Sequence, residues 1–335
     1  MTSPRTDIRA VLAAGNVILG PMAGVTEAPF RGICKRMGAG LTYTEMVGAK
    51  ALHYNPDSRI SRSLLTFSPE ETPCAVQLYG ADPELMAAQA AWIIERHGAD
   101  VACIDINMGC PVSKVVRRGE GSGLMQTPEL AARIIECVVA AVSPVQVTAK
   151  FRAGWDDSSR NAVEFGRVLE AAGVSAMAVH GRTRKQFYRG SADWDLIAAV
   201  KAAVSVPVIG SGDVSSAPDA EAMLRRTGVD AVMVARGAQG DPWIFREARA
   251  LIDRGEILAP PSAFERIAVA REHTAALVAF GGERAFTRMR KHVGWYVTGM
   301  PGATFVRDRV NKAGSSAEID ALLEEYRAWL EARVY

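Results

Sequence analysis

Cys110 follows the apolar run "VACIDIN" in the turn "NMGCP", just past the point where a buried strand would end. A core gains little from a thiol placed there, whereas a site for chemistry does. A free thiol has a pKa of about 8.5, so at neutral pH it is mostly protonated and can act as a general acid without tuning. The rival role, a thiolate nucleophile, requires a depressed pKa. Lys150 closes the run "VQVTAKF" and His180 the run "AMAVHG". Facing one pocket, the two would supply positive charge where an anion develops. An isoalloxazine becomes anionic at its N1–C2=O edge on reduction, so a lysine there makes physical sense. Gln77 and Asn107 offer neutral donors and acceptors to such a ring edge, and the turn "PMA" (Pro21, Met22, Ala23) an apolar side chain for its face. Two glycine-rich turns remain, "GSGD" with Ser211, Gly212 and Asp213, and "ARGAQG" with Ala235 and Arg236. Glycine lets backbone N–H groups approach a phosphate closely, and Arg236 adds charge.

Eight short β-rich runs carry these residues: 17–21, 41–46, 74–80, 101–107, 145–151, 176–181, 206–212 and 230–237. Segments with helical spacing lie between them, such as 83–98, 127–142 and 159–173; several begin with proline after a capping residue and end at glycine. Apolar runs without alternation suit strands buried on both faces, hence parallel strands joined by helical crossovers. Eight such units imply an α/β chain folded as a (β/α)₈ TIM barrel. A doubly wound open sheet would want a GxGxxG fingerprint after its first strand, and none is present. The two rims differ in sequence. Strand ends read "PMAG", "EM", "QLYG", "NMGCP", "KFRAG", "HGRTR", "GSGD" and "ARGAQG", while the helix-to-strand turns are short and poor in reactive side chains. That asymmetry implies an enzyme with its site at the C-terminal rim, and the glycine turns after strands seven and eight sit where barrels often hold phosphate.

Beyond Phe245 no strand is evident, and Pro260-Pro261 breaks a helical pattern. The expected division is a catalytic barrel over 1–250 and a small all-helical domain over 256–335. Nearly half of the 335 residues are apolar and the formal charge is only +2, ordinary for a globular protein. The charge is unevenly spread: Arg284, Arg288, Arg290, Lys291, Arg307, Arg309 and Lys312 face Asp308 alone within 284–312. The five cysteines are scattered, without a CxxC pair, which argues for a reducing compartment and against a disulfide framework or a zinc site; no metal is expected. The N-terminal 21 residues are too interrupted for a signal peptide or a membrane span, so a soluble, cytoplasmic protein is expected.

Taken in order, "PMAGVTEAPFR", "VQLYG", "DINMGCPVSKVV", "GEGSGLM", "TAKFRAGW", "VHGRTR", "FYRGSADW", "VPVIGSGD", "MVARGAQGDPWIF" and "MRKHVGWYVTGMPG" resemble the tRNA-dihydrouridine synthases, most closely their bacterial B-type branch. The resemblance covers the whole barrel and enters the helical segment. It implies an FMN enzyme that reduces the C5–C6 bond of a D-loop uridine in tRNA, with NADPH as electron source, and makes 1–250 the FMN-binding and 256–335 the tRNA-binding part. It also implies FMN contacts at Pro21, Met22, Ala23, Gln77, Lys150, Ser211, Gly212, Asp213, Ala235 and Arg236, a flavin-side histidine at His180 and a catalytic cysteine at Cys110. Ser211 departs from the family's usual "GNGD", where asparagine stands.

Uracil's C5=C6 bond is conjugated to its C4 carbonyl. Hydride from reduced flavin N5 therefore goes to C6 and a proton must reach C5, which favours Cys110 as acid. A uridine in folded tRNA must leave its stack to be reached, at a cost of a few kcal/mol that backbone contacts must offset. Arg288, Arg290 and Lys291, with Trp295 and Tyr296 among them, suit phosphate tracking and stacking, and Arg182, Arg184, Lys185 and Arg189 extend the basic surface to the rim. Two other readings stay open at this point: an FMN barrel acting on a small pyrimidine or enone, and a non-catalytic tRNA-binding scaffold. No membrane association and no stable protein partner are expected.

Overall fold

A computed structural model describes residues 7–334. Its strands are β1 (Val17–Leu19), β2 (Val47–Gly48), β3 (Cys74–Tyr79), β4 (Val101–Met108), β5 (Val147–Arg152), β6 (Ala176–His180), β7 (Val208–Ser211) and β8 (Ala231–Val234). All pair in parallel, in the order β1-β8-β7-β6-β5-β4-β3-β2. The sheet closes through residues 41–44. Leu19 N–H donates to Leu41 O at 2.9 Å on one side, and Thr44 N–H donates to Ala75 O at 2.9 Å on the other. The second strand expected over 41–46 is thus corrected. Its first half is extended but bridges its neighbour only at Tyr43–Ala75, and a regular ladder begins at Val47. The result is the eight-stranded (β/α)₈ barrel that the sequence implies.

Because strand side chains alternate, each run is sorted into two faces. Outward residues such as Val76, Leu78, Ile104, Ile106, Val147, Phe151 and Val179 join the core between barrel and helices. The inward-facing residues Ile18, Ala75, Ala176, Ala178, Ile209, Ala231 and Met233 fill the lower barrel with Ile8 and Leu12. Those last two come from the helix Ile8–Ala14, which plugs the N-terminal end and is capped by the Asp7 carboxylate accepting from Arg9 N–H. One layer higher the inward residues turn polar: Gln77, Asp105, Asn107, Thr148, Lys150, Arg152, His180 and Ser211. Register fixes who stands beside whom, with Gln77 level with Asp105, Asp105 with Thr148, Asn107 with Lys150, Arg152 with His180, and His180 with Ser211.

The crossover helices follow the sequence pattern, at Pro83–His97, Pro128–Val142 and Ala162–Ala171. After the helix Ile244–Arg254, stopped by Gly255 in the left-handed conformation, four helices form the C-terminal bundle: Ala263–Gly281, Phe286–Tyr296, Ala303–Lys312 and Ser316–Val334. Ser262 and Glu265 form a capping box at its start. The bundle has its own apolar cluster, including Leu277, Met289, Val293, Val306, Val310, Ile319 and Leu323, and it takes in Ile33 and Trp243 from the barrel side. No helix among the described residues is long and apolar enough to cross a membrane.

Candidate active site

The C-terminal ends of the strands surround a cavity of about 650 Å³, within the range of small-ligand sites. Every residue that the sequence marked for cofactor or catalysis lines it. Pro21, Met22 and Ala23 come from the loop after β1, Gln77 from β3, and Asn107 and Cys110 from β4 and its turn. Lys150, His180, then Ser211, Gly212 and Asp213, and finally Ala235 and Arg236 complete the ring.

The Cys110 turn is held by a chain of side chains that starts in the barrel. The buried Asp105 carboxylate accepts from Gln77 Nε2 and Thr148 Oγ1, both at 2.7 Å. Gln77 Oε1 accepts from Asn107 Nδ2 at 2.7 Å, and Asn107 Oδ1 accepts from the N–H groups of Gly109 and Cys110 at 3.1 and 2.9 Å. On the far side of the turn, Ser122 N–H and Oγ donate to Cys110 O at 3.1 and 2.9 Å. Gly121 enters here with φ +58°, and a Cβ on it would stand 2.9 Å from Cys110 O. Only glycine fits this crossing. The Asn107 carbonyl therefore serves the cysteine turn, a use that the sequence did not reveal. Burial raises the Cys110 thiol above its ordinary value, partly offset by the Val112 N–H, Arg152 and Lys150. At neutral pH it is a thiol.

The charges are arranged around it. Burial and the neighbouring Arg152 push the Lys150 ammonium down to about 8. Burial pushes the Asp105 carboxyl up to about 6, against its hydrogen bonds from Gln77 and Thr148. His180 is lowered well below its ordinary value by burial and by the charges of Arg152, Lys150, Arg182 and Arg236, so it is neutral. The expectation that His180 adds positive charge is corrected. It is a neutral imidazole packed against the Gly212 backbone, where a Cβ would come within 2.8 Å of His180 Cδ2. Gly212 has φ +116° and Asp213 φ +57°, and the N–H groups of Asp213 and Val214 find no acceptor among the described residues. The Asp213 carboxylate is engaged elsewhere, accepting from Arg182 Nη2 at 2.7 and 2.8 Å and from Ala192 N–H at 2.6 Å.

Arg152, Tyr188 and Met46 also line the cavity and were not singled out from sequence. Arg152 stands two residues after Lys150, and the strand period puts both on the inner face, so the signal was present in "TAKFR". Its guanidinium donates to Gly109 O at 2.7 Å and Phe187 O at 3.0 Å, tying the β4 and β6 loops together. Arg236 stacks over the Tyr188 ring at 4.7 Å.

The candidate RNA contacts divide. Arg182 is 2 % exposed and donates through Nε and Nη2 to Arg189 O, Gly190 O and Asp213, with its Nη1 buried and unpaired, so it holds the rim loop and does not present charge to a ligand outside. Arg184 is half-buried over the Trp155 ring at 4.8 Å. Arg290 donates to Ala313 O at 2.7 Å, and Lys291 to Gly24 O in the loop after β1. Gly24 N–H in turn meets the Glu45 carboxylate. Arg288 is exposed and has no ion-pair partner among the described residues. Tyr296 is corrected from a stacking candidate to a core residue with 0 % exposure, its hydroxyl beside His273 Nδ1.

A profile described as dihydrouridine synthase (Dus) matches residues 18–331. A tRNA-dihydrouridine synthase B of Pseudomonas putida is 43% identical over 321 residues, covering 94% of each chain. Its counterpart in Pseudomonas aeruginosa is 45% identical over 297 residues, with 88% of each chain covered. A probable tRNA-dihydrouridine synthase of Rickettsia conorii is 40% identical over 314 residues, 93% of each. The crystal structure of TcOYE with pHBA superposes with a TM-score of 0.52 at 12% identity, covering 71% of this chain and 89% of that one, a likeness of fold alone. With the thiol, the half-buried lysine and the glycine turns gathered at one barrel mouth, and relatives matching over most of their length, the chain belongs to the dihydrouridine synthase family.

Proposed function

We propose that this enzyme reduces D-loop uridine in tRNA to dihydrouridine, with FMN in the barrel mouth, Cys110 as proton donor to C5 and NADPH as the source of electrons. The observation that carries the reading is the placement of a protonated thiol and a half-buried ammonium on one cavity.

The residues present suit FMN. Unpaired N–H groups at Asp213 and Val214, with Arg236 nearby, form an anion cradle of the kind that phosphate occupies. Met22 offers an apolar face, while Lys150 stands on the inner wall beside Asn107. When bound, the flavin supplies hydride to C6 of the uracil. The chain's own groups do the rest. Lys150 holds positive charge on the inner wall of the cavity, where a bound ring excludes water and its anionic edge is stabilised more than in water. Cys110 Sγ–H gives its proton to C5 as charge builds on C5 and O4, and solvent later restores it. Asn107, Ser122 and Arg152 keep the turn in place, so that the sulfur is positioned before substrate arrives.

For RNA, the exposed Arg284 and Arg288, together with Lys185 and Arg189 at the rim, form a phosphate-tracking surface. The free charges of Arg290 and Lys291 add field although their donors bind carbonyls. Affinity for tRNA is then expected to fall steeply with salt, with each neutralised phosphate adding roughly 0.7–0.9 to the slope of log K against log salt. Filter binding from low to moderate salt measures it, and a flat line removes the electrostatic surface. Mapping dihydrouridine in tRNA from a deletion strain, with and without the restored gene, tests the function. Unchanged D-loop uridines in both would overturn it.

A further inference from the structure

Glu27 stands where the loop after β1 turns into the helix Ala28–Arg36. Two helices of the C-terminal bundle press histidines against it, His273 from Ala263–Gly281 and His292 from Phe286–Tyr296. Glu27 is 2 % exposed and both histidines 0 %. No lysine or arginine pairs with the Glu27 carboxylate among the described residues. Both of its oxygens, His273 Nε2 and both ring nitrogens of His292 lack a hydrogen bond. So many unpaired polar atoms at one buried point call for something that satisfies them together.

The spacing says what. Glu27 Oε1 lies 3.4 Å from His292 Nε2 and 3.7 Å from His273 Nε2, and one ligand atom from each residue falls within 4.8 Å of the others. A charge-assisted hydrogen bond would draw such atoms to about 2.7–2.9 Å. Two partners of a bridging water, each about 2.8 Å from it, would stand roughly 4.6 Å apart. Two ligands of a tetrahedral ion at about 2.0–2.1 Å stand roughly 3.4 Å apart, which the observed separations approach most closely. The surroundings agree. The Tyr296 hydroxyl sits 3.3 Å from His273 Nδ1, fixing that ring with Nε2 toward the cluster, as outer partners of metal-bound histidines do. The Phe30 ring lies 5.6 Å from each imidazole and closes off the site.

We propose that Glu27, His273 and His292 bind one Zn²⁺, which clamps the C-terminal helices to the loop carrying Pro21, Met22 and Ala23. Two imidazoles and a carboxylate select zinc over magnesium or calcium. The second carboxylate oxygen or a water completes four-coordination. The expectation of no metal rested on cysteine spacing, and this site uses no cysteine. Its ligands lie too far apart in the chain to form a motif.

The test takes the untagged full-length chain, purified without chelator, to elemental analysis. Close to one zinc per chain is expected. After stripping with dipicolinate, the chain should take up one equivalent of Co²⁺ with the visible absorption of a tetrahedral site, and its Tm should fall by several degrees and recover with Zn²⁺. Glu27→Gln and His292→Gln should each lose the zinc, while His53→Gln, at an exposed position, keeps it. If the cluster variants fail to fold, cobalt uptake by the stripped wild-type chain still decides. Wild-type protein that carries no zinc and takes up no cobalt would reduce the cluster to packed polar groups and overturn the site. Stoichiometric metal that survives in the folded variants would overturn its location.

Discussion

Cys110→Ala is expected to retain flavin and to lose turnover by a factor on the order of 10²–10⁴, the range associated with a general acid. The turn should survive the change because its anchors are main-chain groups. Asn107 Oδ1 takes the Cys110 N–H and Ser122 donates to the Cys110 carbonyl, neither of which involves sulfur. Alanine keeps the Cβ and removes only the sulfur, so it adds no volume beside Gly121. Cys110→Ser is expected to fail almost as badly, since a hydroxyl in the same half-buried place is a far weaker acid. The pH profile carries the sign. Burial raises the thiol above its ordinary value, so the acid stays protonated through neutral pH, and with flavin saturating the rate declines as pH climbs through that raised value. Flavin absorbance per chain and the initial rate of dihydrouridine formation separate the two effects. A Cys110→Ala enzyme working at the wild-type rate would end the acid assignment.

How legible all this was depended on range. Strand runs such as "VACIDIN" and "AMAVHG" announced themselves because parallel strands are buried on both faces, and their last inward residues had to meet at one rim. That is why a ring of residues spread from Pro21 to Arg236 could be drawn from sequence and then found on one cavity. Strand two was blurred because its residues 41–44 bridge two neighbours with a single regular bridge, and no side-chain pattern encodes that irregularity. Side-chain state was less legible than position. The neutral form of His180 follows from burial and from Arg152, Lys150, Arg182 and Arg236 converging on it, four cations from three separate stretches of chain. Arg182 looked like surface charge because "HGRTR" is polar, but Asp213 and two carbonyls bury it. The Glu27, His273 and His292 cluster shows the same limit at its widest, since only the docking of bundle on barrel creates it.

Lys150→Met is expected to weaken FMN binding roughly 10–100-fold, the effect of removing one hydrogen bond to a charged group at about 1.5–3 kcal/mol. The flavin-free chain should respond in the opposite sense. An unfolded lysine titrates near 10.4, whereas burial and Arg152 hold folded Lys150 at about 8. Between those values the unfolded chain binds more protons, so stability of the flavin-free protein rises with pH across that window. Below about 8 the lysine must be buried charged, which works against folding. Methionine keeps the length and removes that burden, so at neutral pH the flavin-free variant should melt no lower than wild type. Binding couples to the same proton, because an anionic ligand favours the ammonium. Wild-type affinity should therefore fall as pH rises past about 8, and the variant should lose that limb. Fluorescence titration of stripped protein with FMN at several pH values reads both terms. Equal affinities and parallel pH profiles for the two proteins would take Lys150 out of the flavin site.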